Sequence, residues 1–327
     1  MSASNGKPWI ELDGVDLARG GRPVLRGVSA TLSGRAIGLV GANGAGKSTL
    51  IGALLGVLRA QRGRIRVMGL ELPQHALEVR TRAGVMAEQA GIFPGGSGVD
   101  AVAYAGQLNG LPRREALRRA HRALDALGVG EERYRATDGY STGMRQRCKL
   151  AMSLCHDPEV LILDEPTVGL DPAGRIQLLT LIRGLAEEGR RILLSTHVLH
   201  DAEFLCDEML LLESGTVAYA GPVATLVDPG AGSMIAEGEG LDLAVVESLL
   251  AAGLDARLEE ARTRTGSVTA TRLRFLSHGD TDLTRFWAVV ARHGAEVRRL
   301  RRDSVSLEDA VLTVMDGARE RSRGGRS

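Results

Sequence analysis

Residues 36 to 58 decide the fold, and they read A-I-G-L-V-G-A-N-G-A-G-K-S-T-L-I-G-A-L-L-G-V-L. The order is a buried strand, a glycine-rich turn and an apolar helix, and the turn fits the phosphate-loop pattern G-x-x-x-x-G-K-[ST] from Gly41 to Ser48. Its glycines let the backbone curl so that successive N–H groups face one anion, and the helix that begins near Lys47 directs its positive end there. Lys47 can reach the β- and γ-phosphates of a nucleotide, and Ser48 can offer its hydroxyl to Mg²⁺. The stretch therefore predicts a nucleotide-phosphate site.

Composition sets the class of protein. The chain has 327 residues, enough for one large and one smaller domain, with 44% hydrophobic and 25% charged residues. A net charge of +1 and only 3% aromatic residues argue against nucleic acid as a partner. The three cysteines lack metal-binding spacing, so we expect buried thiols in a reducing compartment. No window approaches the roughly 18 consecutive apolar residues of a membrane span.

Two carboxylates and a histidine follow predicted buried strands. The sequence V-L-I-L-D-E ends in Asp164 and Glu165, and R-I-L-L-S-T-H ends in His197. Ligands of α/β sheets bind at the carboxyl ends of the strands, so these side chains should lie at one edge. Asp164 is placed to hold Mg²⁺, and Glu165 to orient or deprotonate an attacking water. His197 is placed to contact a γ-phosphate.

A second anion site is predicted at Y-S-T-G-M-R-Q, residues 140 to 146. Ser141 can cap the following helix, and Gly143 permits close approach of another group. Free N–H groups and the helix dipole point out of such a start.

The segment before the phosphate loop predicts short strands between residues 9 and 32, with a turn at Gly20-Gly21. In a nucleotide-binding domain an aromatic residue often stacks on adenine here, but this segment reads A-R-G-G-R-P. Arg19 or Arg22 could stack instead as a guanidinium, and two solvent-exposed arginines are an equally good reading. Further along, the periodicity predicts helices over 99–108, 113–127 and 173–188.

Together these motifs resemble the nucleotide-binding subunits of ABC transporters over about residues 9 to 225. Walker A is G-A-N-G-A-G-K-S-T (41–49), the signature is S-T-G-M-R-Q (141–146), and Walker B is V-L-I-L-D-E (160–165). A D-loop at 169–171 and the switch histidine His197 follow in order. The resemblance implies an α/β fold: a P-loop NTPase sheet with antiparallel β and helical subdomains.

The resemblance also implies a site that two chains share head to tail, with ATP and Mg²⁺ between them. Glu165 would be the catalytic base and His197 would sense the γ-phosphate, while Ser48, Asp164 and Glu88 would hold the metal. Residues of both motifs would bind the nucleotide: Gly41, Asn43, Gly44, Ala45, Gly46, Lys47, Ser48 and Thr49, with Ser141 and Gly143 serving the partner's ATP.

Departures from the family pattern occur at two places. In the signature, Thr142 replaces a glycine and Met144 a glutamine, but Ser141, Gly143 and the helix start still supply anion contacts. The family's metal-contacting glutamine aligns with Glu88, and Gln89 is next. Either Glu88 replaces the glutamine, which Mg²⁺ accepts, or the register slips by one residue.

After a linker candidate at D-P-G-A-G-S (228–233), the last hundred residues predict a small C-terminal α+β domain. We expect a nucleotide-binding domain over 1–227, an accessory or dimerisation domain over 228–317, and a basic disordered tail over 318–327. Helices are predicted over 241–252, 282–293 and 307–315, and strands near 255–260, 267–277 and 295–301. The sequence S-L-E-D-A-V-L (306–312) resembles the final helix of bacterial drug- and antibiotic-efflux ATPases, with Val311 in place of a phenylalanine.

Three functions compete. The first is an ATPase that powers export through a separate transmembrane permease, as a dimer of nucleotide-binding subunits on the cytoplasmic face of the membrane. The second is a soluble ABC-type ATPase in translation or repair, but such members carry two nucleotide domains or long coiled coils. The third, a small P-loop kinase, leaves the signature and His197 unexplained. The sequence favours transport.

Overall fold

The computed structural model describes residues 7–89, 91–92, 95–227, 233–262, 268–277, 279–302 and 306–324. The strands in these ranges are β1 (Ile10–Arg19), β2 (Arg22–Leu32), β3 (Ala36–Val40), β4 (Arg62–Val67), β5 (Leu70–Leu72), β6 (Ala83–Met86), β7 (Val160–Asp164), β8 (Arg191–Thr196), β9 (Glu208–Glu213), β10 (Thr216–Pro222), β11 (Ser233–Glu239), β12 (Ala256–Arg262), β13 (Val268–Leu276) and β14 (Glu296–Arg302). The α-helices are α1 (Lys47–Leu54), α2 (Ala76–Arg82), α3 (Gly98–Leu108), α4 (Arg113–Ala126), α5 (Thr142–Leu154), α6 (Pro172–Glu187), α7 (Leu199–Leu205), α8 (Val223–Val227), α9 (Leu243–Ala251), α10 (Asp280–His293) and α11 (Leu307–Gly324).

The central sheet has six strands in the order β10-β9-β3-β8-β7-β6. The strands from β9 to β6 run parallel, and β10 is the antiparallel edge. Every residue of β3 and β7 is buried, as the apolar sequences of these strands predict for a sheet covered on both faces. The segments that follow the neighbouring strands β3, β8 and β7 therefore meet at one edge. They are the phosphate loop, the His197 segment and the Asp164-Glu165 pair.

A second sheet, antiparallel in the order β2-β1-β4-β5, lies beside the first. Helix α1 joins the two sheets into one apolar core, because Leu50 and Leu54 cluster both with Leu17 of β1 and with Leu39 of β3. This helix carries the phosphate loop at its N-terminus, so burial on both sides fixes the position of the loop. Val24 and Leu25 of β2 also come within contact distance of the loop at Gly46.

Helices α3, α4 and α5 pack against one another as a separate layer. Helix α3 begins with a capping box in which Ser97 and Asp100 exchange hydrogen bonds. Its bounds and those of α4 agree with the predicted helices over 99–108 and 113–127 to within one residue. The arginines of α4 outside its buried stripe are mostly exposed, as the amphipathic pattern predicts.

The chain divides into two compact units, Met1–Val223 with Leu312–Ser327, and Ala224–Val311. The predicted domain limits, 228 and 317, lie a few residues later. The second unit runs β11-α9-β12-β13-α10-β14, and its antiparallel sheet has the order β12-β13-β11-β14. This is the ferredoxin-like arrangement. One face of the sheet packs on α9 and α10 through a core that includes Phe275 and Phe286.

Two sequence-based expectations for the C-terminal region need correction. The strand β11 was not predicted, because its sequence S-M-I-A-E-G-E carries two glutamates and a glycine and resembles a continuation of the linker. Of that predicted linker, residues 228–232 lie outside the described residues. The last helix was predicted to end at Met315, but α11 continues to Gly324. Of the tail predicted to be disordered, 318–324 lie in this helix, and 325–327 lie outside the described residues. Its added turns hold arginine, glutamate and alanine, which are good helix formers, and contain no proline.

Candidate functional site

The phosphate loop joins β3 to α1, and its glycines are required by its geometry. Gly44 and Gly46 have φ values of 82° and 108°, which side-chain-bearing residues rarely adopt. A Cβ at Gly41 would lie 2.5 Å from the carbonyl oxygen of Leu212. Gly46 is the N-cap of α1 and gives the helix no side-chain cap, so its first N–H groups remain available to an anion.

Lys47 begins α1 with its side chain buried and held at two points. Its Nζ donates a 2.7 Å hydrogen bond to the carbonyl oxygen of Gly41 and lies 3.3 Å from Oε1 of Glu165. Both charged side chains are about 6–7% exposed. Because an unpaired buried charge is costly, the Glu165 carboxylate offsets the cost of burying the Lys47 side chain at the centre of the loop.

Asp164 ends β7 beside the phosphate loop. Ser48 Oγ donates to Asp164 Oδ2 at 3.2 Å. The other oxygen, Oδ1, is buried and has no hydrogen-bond partner among the described residues. An unpartnered carboxylate oxygen next to a serine hydroxyl fits a hard divalent cation such as Mg²⁺. No group of three or more His, Cys, Asp or Glu in the described part of the chain could hold a metal. Mg²⁺ commonly takes one or two carboxylates and completes its shell with substrate phosphates and water.

Glu165 and His197 contact each other across the sheet edge. The Nδ1 atom of His197 lies 2.9 Å from Oε2 of Glu165. The backbone N–H of Glu165 donates to the carbonyl oxygen of Ser195, and its φ of 50° falls in the left-handed region. Glu165 thus bridges Lys47 with one oxygen and His197 with the other. The imidazole is about half exposed, so a ligand can reach it.

A cavity of about 480 Å³ opens at this edge. Nine of the predicted site residues line it: Asn43, Gly44, Gly46, Lys47, Ser48, Thr49, Glu88, Asp164 and Glu165, joined by Arg19, Val24 and Ala42. Glu88 is a lining residue and its neighbour Gln89 is not. Of the other predicted residues, Gly41 contacts Lys47, His197 contacts Glu165, and Ala45 accepts a hydrogen bond from the N–H of Gly215.

The signature segment forms a second cavity, also of about 480 Å³. Ser141 caps α5 by accepting a hydrogen bond from the N–H of Met144 at 3.3 Å. Ser141, Gly143 and Met144 line this cavity together with the D-loop residues Gly169 to Asp171, and none of them lines the phosphate-loop cavity. Within one chain, the structure therefore does not bring Ser141 and Gly143 to the phosphate loop.

Sequence reasoning missed a buried cluster beneath the site. Asp201 of α7 is fully buried and accepts a 2.5 Å hydrogen bond from Thr167 Oγ1. Its other oxygen lies 3.3 Å from Nε of Arg175 in α6. The cluster ties the segment after Glu165 to the helix that follows His197. No local pattern marks it, since its members are separated in sequence.

The chain resembles known proteins in sequence. A family model described as ABC transporter matches residues 25–168. The chain is 33% identical over 245 residues to Nod factor export ATP-binding protein I of Ralstonia nicotianae, which covers 75% of this chain and 76% of that protein. It is 36% identical to daunorubicin resistance ATP-binding protein DrrA3 of Streptomyces coeruleorubidus, covering 65% and 67%. It is 30% identical to linearmycin resistance ATP-binding protein LnrL of Bacillus subtilis, covering 65% and 68%.

Solved structures show the same fold. The cbiO1 subunit of Clostridium perfringens, described as part of the ABC transporter complex cbiONQ, aligns with a TM-score of 0.60 and 26% identity over 66% of this chain and 89% of that one. A dimeric ATP-binding cassette bound to ADP and Pi aligns with a TM-score of 0.59 and 20% identity, over 65% and 98%. The predicted α/β fold and the family resemblance are confirmed. The chain belongs to the ABC transporter family, as an ATP-binding protein that hydrolyses ATP to power transport.

Proposed function

We propose that this chain is the ATP-hydrolysing subunit of an exporter, that it drives a separate transmembrane permease, and that it hydrolyses ATP as a head-to-tail dimer. The dimer is supported by one observation: the two groups of nucleotide-binding motifs line two separate cavities of one chain. The phosphate loop, Lys47, Asp164 and Glu165 form the first, while Ser141, Gly143 and the capped start of α5 form the second. Symmetric pairing would place the second half-site of each chain over the first half-site of the other.

We assign the phosphates to the loop of residues 41 to 49. Its N–H groups and the N-terminus of α1 would hold the β- and γ-phosphates, and Lys47 would neutralise them. The hydrogen bond from Lys47 Nζ to the carbonyl oxygen of Gly41 holds the ammonium over the loop. A bound phosphate would compete with Glu165 for Lys47, and this competition would free the carboxylate.

Glu165 is the proposed general base. Once its oxygen no longer pairs with Lys47, it can accept a proton from a water aimed at the γ-phosphorus, and its other oxygen stays 2.9 Å from His197. His197 would orient the carboxylate and contact the γ-phosphate. Ser48, Asp164 and Glu88 would hold Mg²⁺, which would neutralise charge on the phosphates.

Export is the transport direction that the relatives support. Two of the relatives described above carry names that refer to drug or antibiotic resistance, and one to Nod factor export. None of the helices in the described ranges has the length and apolar character that crossing a bilayer requires. We therefore propose a peripheral subunit on the cytoplasmic face of the membrane, joined there to its permease. For the ferredoxin-like unit we propose a role in dimer contact or regulation.

Complementation between two inactive variants tests the dimer. Lys47→Ala disables the first half-site and Met144→Arg the second, so each variant alone should lose ATPase activity. A mixture should recover up to about a quarter of wild-type turnover, because random pairing leaves that share of the composite sites intact. No recovery on mixing, with both variants folded, would contradict the shared site. Near-normal ATPase turnover of the Lys47→Ala variant alone would contradict the assignment of the phosphate site to this loop.

A further inference from the structure

A further cavity, of about 450 Å³, shares no lining residue with the two half-sites. It is lined by residues of α4, by the ends of α5 and α6, and by Asp157 and Arg190, which come shortly before β7 and β8. Glu165 and His197 follow the other ends of these two strands, and β7, with five residues, is about 16 Å long. The cavity therefore lies at the edge of the central sheet opposite the proposed catalytic groups.

Arginines from two parts of the fold meet at this cavity. Arg118, Arg119 and Arg122 of α4 line it, and their spacing of three and four residues places them on one side of the helix. The amphipathic pattern of α4 accounts for arginines at its exposed positions. It does not account for Arg190, which comes from the segment between α6 and β8 and lines the same cavity.

Arg122 is unpaired, whereas its two neighbours on this side of α4 share a carboxylate. Nη2 of Arg118 lies 2.8 Å, and Nε of Arg119 2.6 Å, from Oε1 of Glu115. Within the described ranges Arg122 takes part in no hydrogen bond or ion pair. It is exposed, so a ligand that enters the cavity can reach its guanidinium.

Arg190 adds a donor that lacks an acceptor. Its Nη1 donates to Glu188 at 2.7 Å and its Nη2 to Asp157 at 2.8 Å. Its Nε is buried and has no hydrogen-bond partner among the described residues. A buried donor without an acceptor costs free energy, and an acceptor oxygen of a ligand would recover that cost.

The rest of the lining is mostly apolar. Leu154, the last residue of α5, and Leu185 of α6 line the cavity together with Ala123 and Ala126 of α4. The thiol of Cys155 also lines it and is uncharged at neutral pH, because burial raises its pKa to about 11. A volume of this size and an apolar lining with a few polar groups are typical of small-molecule sites.

The charges of the lining indicate the kind of ligand. The four guanidinium groups are paired with three carboxylates in all, so one positive charge remains without a partner. We propose that this cavity binds a small amphipathic organic monoanion, such as an alkyl or aryl carboxylate or sulfonate. Its anionic group lies beside Arg122 and Arg190, and its apolar part lies against Leu154 and Leu185. The site is separate from that of the nucleotide.

Fluorescence titration of the full chain with anilinonaphthalene sulfonate, an aromatic monoanion, tests the site. Binding should saturate below about 1 mM, and Arg122→Gln should weaken it about tenfold or more, because the unpaired cation is lost. Arg114→Gln, at an exposed position of α4 outside the cavity, is the matched control and should bind the probe like the wild type. Octanoate should displace the probe, and excess ATP should not.

The other outcomes overturn the proposal. No saturation below about 1 mM, or equal affinity in Arg122→Gln and the wild type, would mean that the cavity does not bind the probe. Equal binding of phenylnaphthylamine, which lacks the sulfonate, would mean that only apolar surface is recognised. Displacement by ATP, or loss of probe binding in Lys47→Ala, would place the probe at the nucleotide site. An unchanged unfolding midpoint shows that Arg122→Gln, an exposed change, is folded.

Discussion

The hydroxyl of Thr167 donates a 2.5 Å hydrogen bond to the carboxylate of Asp201, and both side chains are buried. Thr167 lies two residues after Glu165, and Asp201 four residues after His197. The bond therefore links the backbone segments that carry Glu165 and His197, the two side chains proposed to act on the γ-phosphate. We expect Thr167 and Asp201 to be positioning residues that act through Glu165 and His197.

Replacing Thr167 with valine should keep the shape of the side chain and remove the donor. Loss of one donor to a buried carboxylate should lower the free energy of unfolding by about 1.5–3 kcal/mol. Turnover should fall more than ATP affinity, because Glu165 and His197 lose their relative placement. Denaturant unfolding and ATPase kinetics measure both effects, and Thr167→Ser, which keeps the hydroxyl, should recover them. Equal turnover in the valine and serine variants would contradict a positioning role.

The change Glu165→Gln should abolish the general base with little change of volume. We expect the ATPase rate to fall by roughly 10²–10⁴ while ATP still binds. The ATP-bound dimer should then accumulate and be visible by size-exclusion chromatography with ATP and Mg²⁺. Glu187→Gln, at an exposed position of α6, is the control and should stay like the wild type. A variant that remains monomeric with ATP would count against the head-to-tail dimer.

Separate alanine substitutions of Glu88 and Gln89 test which residue after β6 contacts the metal. Glu88 lines the cavity and Gln89 does not, so Glu88→Ala should raise the Mg²⁺ concentration that half-maximal ATPase activity requires. Gln89→Ala should leave it unchanged. The bond from Lys149 Nζ to the backbone oxygen of Glu88 survives either change, so the local fold should hold. If Gln89→Ala raised the Mg²⁺ requirement and Glu88→Ala did not, the metal contact would belong to Gln89 instead.

The three cysteines should be unreactive in the folded chain. All are free and buried, as predicted, and burial raises the pKa of Cys148 to about 12 and that of Cys155 to about 11. Because the thiolate is the reactive form, a thiol reagent at pH 8 should label the native chain slowly and all three sites after unfolding. Rapid labelling of the native chain would contradict this burial.

The same shifts predict how stability changes in alkali. An unfolded thiol ionises near its ordinary pKa of 9.0, and the folded thiols keep their protons until about 11 to 12. Above pH 9 the unfolded chain thus binds fewer protons than the folded chain, so stability should fall as pH rises. Denaturant unfolding from pH 8 to 11 measures the slope. Replacing Cys148 and Cys155 with alanine should make the dependence of the unfolding free energy on pH shallower, even if the substitutions also change the stability at pH 8.

Local sequence predicted the phosphate loop because its glycine spacing nearly determines the backbone. The convergence of Lys47, Asp164, Glu165 and His197 followed from a general property of parallel sheets, whose strand ends share one edge. Which of these side chains contact one another could not be predicted from the sequence. The pairing of Glu165 with both Lys47 and His197 depends on rotamers and on sheet register, which no spacing encodes.

The parts that escaped prediction depend on distant contacts. Thr167 and Asp201 are 34 residues apart, and each alone looks like an ordinary polar residue. Strand β11 is recognisable only beside β13 and β14, which bury its middle residues Ile235 and Ala236 in spite of its polar ends. Arg19 lines the phosphate-loop cavity and Arg22, its register partner across the turn, does not, although the sequence treats the two alike.

The left-handed backbone of Glu165 carries a thermodynamic cost. A side chain at a φ of 50° is less favourable than glycine would be, by about 1 kcal/mol or more. The chain keeps glutamate there although glycine would relax the peptide between β7 and the D-loop. The strain is offset by the pairing of its carboxylate with the buried Lys47 side chain, which glycine would leave without a counter-charge. The end of β7 is thus a position where charge pairing holds a strained backbone in place, and where a design that only relaxes the backbone would lose both the ion pair and the proposed base.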